Sequence, residues 1–122
     1  SRIIDGVAGL TQHGHLVLYA LIMFHEKGET PIRAREIQQR YELICERAAT
    51  DALVPRRMRD HLNELAMLGI ASRAERNKGE VGGRYYEYML DTNPQLLLEA
   101  LDETVEVVGI TAEVQQRLNQ EV

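Results

Sequence analysis

Residues 55–90 read PRRMRDHLNELAMLGIASRAERNKGEVGGRYYEYML. Met58, Leu62, Leu65 and, at the edge, Leu68 recur every three or four positions, which at about 100° per residue places them on one side of a helix. Pro55 suits the first turn, where its missing N–H costs nothing, and Gly69 supplies the stop. Arg56, Asp60, Asn63 and Met67 lie opposite, flanked by Arg57, Arg59 and Glu64. The outer side thus carries its cations in the first turn. Next come two strand-like runs, IASRAER (70–76) and RYYEYML (84–90). In the second, Tyr86, Tyr88 and Leu90 alternate with Tyr85, Glu87 and Met89. Between them lies NKGEVGG, so the prediction is a helix running into a β-hairpin with a glycine-loosened tip.

Upstream, residues 10–27 (LTQHGHLVLYALIMFHEK) predict a helix capped by Thr11 and stopped at Gly28. It is apolar all round from Leu16 to Phe24, so neighbours have to cover it on several sides. TPIRA (30–34) predicts a brief edge strand because of Pro31. Residues 34–48 set Ile37, Tyr41, Ile44 and Ala48 at helical spacing, with Cys45 beside them. Downstream, Asn93-Pro94 caps a helix from Gln95 to about Glu103, with Leu97, Ala100 and Leu101 inward. The segment TAEVQQRLNQEV is read as a short terminal helix.

Composition bounds the functional readings. A chain of 122 residues, 44% of them hydrophobic, is expected to form one domain with its own core. One cysteine allows no internal disulfide, and no apolar run reaches 18 residues, so a soluble, cytoplasmic domain is expected. Its opening on Ser1 suggests a piece of something longer. The net charge of −5 is unevenly spread: −1 over residues 1–30, +2 over 31–90 and −6 over 91–122. The acid belongs to the tail, and the middle is mildly basic. Twelve arginines against two lysines, within an acidic total, suit work in concentrated salt.

No chemistry-bearing constellation points to an enzyme. Gly79 to Arg84 lacks the lysine and hydroxyl of a phosphate-binding P-loop, and a strand follows it where a helix should. His13 and His15 fall on different sides of a helix, and His25 and His61 have no carboxylate or cysteine at ligand spacing. All four are expected as surface or boundary residues. Cys45 is expected to be a packed core thiol. Tyr88 is expected in the core, with Tyr85 open between core and stacking.

The order helix, short strand, helix, helix, hairpin, helix is that of a winged helix-turn-helix: mainly α with a small β-hairpin. In that arrangement the 55–68 helix enters a DNA major groove and the hairpin touches backbone or minor groove. Arg56 and Arg59, with Asn63 further along, are the candidates for base edges, since an arginine grips guanine O6 and N7 through two donors. Arg57 points to the flank, towards phosphate. At the wing, Arg76, Lys78 and Arg84 supply charge, and Gly79 and Gly83 let the backbone approach closely. Asp60 and Glu64 narrow the footprint.

YELIC (41–45), RRMRDHLNELAMLGIA (56–71) and GGRYYEYML (82–90) resemble the C-terminal winged-helix domain of archaeal origin-recognition/cell-division-control initiators. The resemblance covers about residues 10–105 and leaves 106–122 as an acidic C-terminal extension. It implies double-stranded DNA, in the form of origin repeats, as partner, and a nucleoid-associated role in starting replication. The parent would be an AAA+ ATPase that helps load the replicative helicase and meets other initiator subunits. ATP and magnesium would belong to that absent part, with no cofactor here. By position Arg56, Arg57 and Arg59 match the start of the recognition helix, and Lys78, Gly79, Gly83 and Arg84 match the wing. Glu80 and Val81 depart from the more basic or polar residues usual there. Two other readings fit the same fold: a transcriptional regulator, and a module that binds only protein.

Overall fold

The computed structural model describes residues 2–79 and 82–104. Its elements are α1 (Arg2–Ala8), α2 (Gln12–Glu26), β1 (Ile32–Arg33), α3 (Ala34–Arg47), α4 (Pro55–Met67), β2 (Ala71–Asn77), β3 (Arg84–Leu90) and α5 (Pro94–Thr104). The expected extension 106–122 lies outside the described residues, as do Glu80 and Val81.

α2 is the centre of the core. Thr11 caps it, with Oγ1 accepting from the Gly14 N–H at 3.3 Å, and every residue from Gly14 to Met23 is buried. A helix apolar on all sides needs cover on all sides, and α3, α4 and β3 pack around it. Gly14 makes room for the turn between α1 and α2: a Cβ there would crowd Leu10 Cβ at 3.2 Å.

α1 lies ahead of residue 10, where the sequence pattern places the start of the domain. Seven residues are too few for a helical period to stand out. α1 packs against α5, and its Val7 is fully buried, so the packed unit reaches back to the first residues. It also corrects the expectation for His15. That side chain is fully buried, and its Nε2 donates to the Val7 carbonyl at 2.6 Å. Burial lowers its pKa, so the ring is neutral and belongs to the core. Cys45 is buried as expected, and burial pushes its thiol up. Among the described residues no helix is long and apolar enough to cross a membrane.

The loop between α3 and α4 sets the angle of the helix-turn-helix, and α3 holds it by two side chains. The Tyr41 hydroxyl accepts from the Leu53 N–H at 2.8 Å and pairs with His13 Nδ1 at 2.8 Å, linking loop, α3 and α2. Gln38 Nε2 donates to the Leu53 carbonyl at 3.2 Å. Pro55 then opens α4, whose Met58, Leu62 and Leu65 are fully buried. Each such side chain contributes about 1.5–3 kcal/mol over its exposed state. Leu68 departs from that stripe: it is the C-cap of α4, still helical in its backbone, and it stays 44% exposed. Gly69 follows at φ +77°, a left-handed turn that glycine adopts without strain.

The hairpin forms with Ala71 opposite Leu90 and Asn77 opposite Arg84. It gains a third strand: β1 pairs antiparallel with β3, Ile32 against Tyr88 and Arg33 against Glu87, giving the order β1-β3-β2. Pro31 lies just ahead of this edge strand, where its missing N–H breaks no ladder bond. The consequence is that the start of α3 is fixed beside the wing.

Candidate nucleic-acid interface

The first turn of α4 holds Arg56 and Arg57 and no acid, with Arg59 directly after. The positive end of a helix macrodipole disfavours cations there by about 0.3–1 kcal/mol each at an exposed surface. The placement therefore works against the helix. All three are exposed. Among the described residues no carboxylate lies within ion-pair distance of any of them. Three open guanidinium groups at one helix start form a ready anion-facing surface.

They do not share one environment. Arg57 lines a hollow with Leu53, Asp60, His61 and Glu64. Arg59 lines a cleft on the other flank, with Arg35 from α3 and Arg84 and Tyr86 from β3. Arg59 and Arg84, both singled out in the sequence, are thus brought together, while Arg57 keeps the flank position expected for it.

Asn63, expected to reach a base edge, has its side-chain oxygen engaged within the domain. It is half-buried, and its Oδ1 accepts from the Tyr88 hydroxyl at 2.9 Å and from Arg73 at 3.1 Å. Tyr88 is the buried plug expected, so its hydroxyl needs a partner, and the nearest turn of α4 supplies it. Asn63 therefore ties recognition helix to wing.

On the wing the residues divide by face. Tyr88 faces α4, so alternation puts Arg84, Tyr86 and Arg73 on its side and Tyr85, Glu87 and Arg76 on the other. Arg76 Nε donates to Glu87 at 2.9 Å on the far face, which ties its charge to a neighbouring carboxylate. Arg84 meets Glu75 at 3.4 Å with both side chains well exposed, a pair worth little in water. Arg73 stacks 4.4 Å above the Tyr86 ring, and Lys78 stands 5.7 Å from the Tyr85 ring at the tip. Gly79 turns the tip at φ +90°, its N–H donating to Asn77 Oδ1 at 2.9 Å. Gly83 has open space where a side chain would go.

Arg33 and Arg35 were not singled out in the sequence. Arg33 stacks 4.3 Å over the Tyr85 ring, and both line the Arg59 cleft. Only the β1–β3 pairing brings them there, and Pro31 was its sole sequence signal. Among the described residues no group of three or more histidines, cysteines or carboxylates is arranged to hold a metal ion.

Comparison with known proteins agrees with this geometry. The family model for the CDC6 C-terminal winged helix domain matches residues 5–100. ORC1-type DNA replication protein 11 of Haloarcula marismortui is 56% identical over 109 residues, covering 89% of this chain and 26% of that protein. ORC1-type DNA replication protein 8 of Halobacterium salinarum is 40% identical over 100 residues, covering 82% of this chain and 25% of that protein. The solved structure of the Aeropyrum pernix ORC1 protein in complex with DNA matches with a TM-score of 0.77 at 29% identity, covering 88% of this chain and 28% of that one. The chain spans about a quarter of the length of the curated relatives it matches. A winged helix with an open cationic α4, matched by this model over most of its length, belongs to the CDC6 C-terminal winged-helix domain family.

Proposed function

We propose that this chain is the double-stranded-DNA-binding module of an archaeal AAA+ replication initiator that recognises origin repeats. In this reading α4 enters the major groove, with Arg56 and Arg59 towards base edges and Arg57 towards phosphate. The wing, residues 76–84, lies on backbone or minor groove through Lys78, Gly79, Gly83 and Arg84, with Arg76 at its base. ATP and magnesium serve the ATPase part of the parent, which also meets the replicative helicase and other initiator subunits. The module works in the cytoplasm, at the nucleoid.

The observation that carries the reading is the set of exposed arginines opening α4, with no ion pair among the described residues, in a winged helix related to a protein solved with DNA. Asn63 supports the geometry indirectly, by holding wing and helix at a fixed separation. The test is a fluorescence-anisotropy titration of a labelled origin-repeat duplex at low and at molar salt. Binding is expected in low salt, with Arg56→Ala and Arg84→Ala each weakening it by about tenfold, the scale of one charge-assisted contact. Absence of binding in both conditions sinks the proposal and turns the search towards a protein partner.

A further inference from the structure

Resting on that reading, we infer that the cleft between α4, the β1–α3 junction and β3 seats one backbone phosphodiester of the duplex, with Arg35 and Arg59 as its main ligands and Arg33 and Arg84 at its rim.

Four guanidinium groups from three separate stretches of the sequence line this cleft together with Ala34 and tyrosines, and of the four Arg84 also meets Glu75 in an exposed pair. Like charges gathered in this way repel one another, and a bound anion relieves that repulsion. Arg35 adds a second cost. It lies in the first turn of α3, where the helix dipole disfavours a cation. A purely structural surface gains nothing from this placement. The cleft encloses ≈ 260 Å³, below the range of about 300–1,000 Å³ typical of small-molecule pockets. That favours a compact tetrahedral group over a whole nucleoside.

The walls suit the same ligand. Arg33 is stacked 4.3 Å over Tyr85, which holds its guanidinium plane without consuming its donors. Planar guanidinium groups meet phosphate oxygens through paired donors, and this geometry is lost with lysine. Arg35 and Arg59 also line the neighbouring hollow with Gln38, Gln39 and Pro55. They therefore stand on the ridge between two depressions, where a passing nucleic-acid strand would meet both. A phosphate held here fixes register without reading sequence.

The experiment uses the 122-residue chain, with Arg35→Ala and Arg35→Lys. Position 35 is exposed, so both variants should keep the wild-type circular dichroism spectrum. Affinity is measured against salt on an origin-repeat duplex and on a scrambled duplex. Arg35→Ala is expected to lose about tenfold on both, and its slope of log Kd against log salt should shrink by about 0.9, one phosphate fewer. Arg35→Lys should restore the slope and only part of the affinity. Phosphate-ethylation interference should show a single position that matters for wild type and not for Arg35→Ala. An unchanged slope in Arg35→Ala while wild type binds overturns the inference and leaves the proposed function standing. A loss confined to the origin-repeat duplex also overturns it, by making Arg35 a base reader. If wild type binds neither duplex, the proposed function itself fails and the phosphate seat with it.

Discussion

Arg57 and Arg59 are two residues apart on α4, both exposed, and their surroundings differ in sign. Arg57 shares its hollow with Asp60, Glu64 and His61. Arg59 shares its cleft with Arg33, Arg35 and Arg84. On the first flank Asp60 and Glu64 line the same hollow without pairing to the cation, and they weaken its pull on a phosphate. On the second, the lining is cationic and aromatic, and among the described residues its only ion pair is that of Arg84 with Glu75. Equal residue types on one helical turn thus differ in what they can bind, because the helix divides its neighbours between an acidic flank and the sheet.

The comparison can be broken at its base by removing the packing that orients α4. Leu62→Ala deletes a fully buried side chain and should cost about 2–5 kcal/mol of unfolding free energy, seen in urea denaturation. Both flanks should lose DNA affinity together at temperatures where the variant is partly unfolded. A stability change near zero would show that the inner stripe does not anchor the helix.

A smaller change sharpens the contrast. Asn63→Ala removes the acceptor for Tyr88 and Arg73 and leaves a buried phenol unpaired, at a cost of about 1–3 kcal/mol. Since Asn63 joins α4 to the wing, the Arg59 side should suffer most. In the Asn63→Ala background, a further Arg84→Ala should then cost less DNA affinity than it does in wild type. Additive effects would mean that Asn63 does not set the wing's position.

The smallest expected effect is that of Arg57→Ala. With acids beside it, this arginine should contribute less than about threefold to duplex affinity, in the range of exposed charge pairs. Arg59→Ala should cost about tenfold in the same titration. Equal losses at the two positions would erase the distinction between the flanks.

Much of this molecule is legible along the chain because its elements are locally encoded. Thr11, Gly28, Pro55 and Gly69 mark helix boundaries through backbone conformations and hydrogen bonds that need only nearby residues. The stripe Met58, Leu62, Leu65 repeats at the helical period, and Tyr88 and Leu90 repeat at the strand period, so their burial follows from spacing. Tyr86 shows where that logic stops. It shares the strand face of Tyr88, yet it remains 39% exposed, covered by the Arg73 guanidinium and not by the core.

What spacing could not supply is partnership between distant segments. α1 carries too little pattern to announce itself, and without it His15 reads as a surface residue. Asn63 sits on the outward side of an ideal helix, and only the arrival of Tyr88, 25 residues later, turns its side chain to the sheet.

By itself the sequence determined the order of helices and strands, the apolar inner side of α4 and the arginines that open it, since each depends on residues within a few turns of one another. Tertiary structure alone decided which of those arginines stand together. Arg33 and Arg84 are joined by the pairing of β1 with β3, and such a register is settled by packing across the whole domain, a cooperative result that no local period encodes.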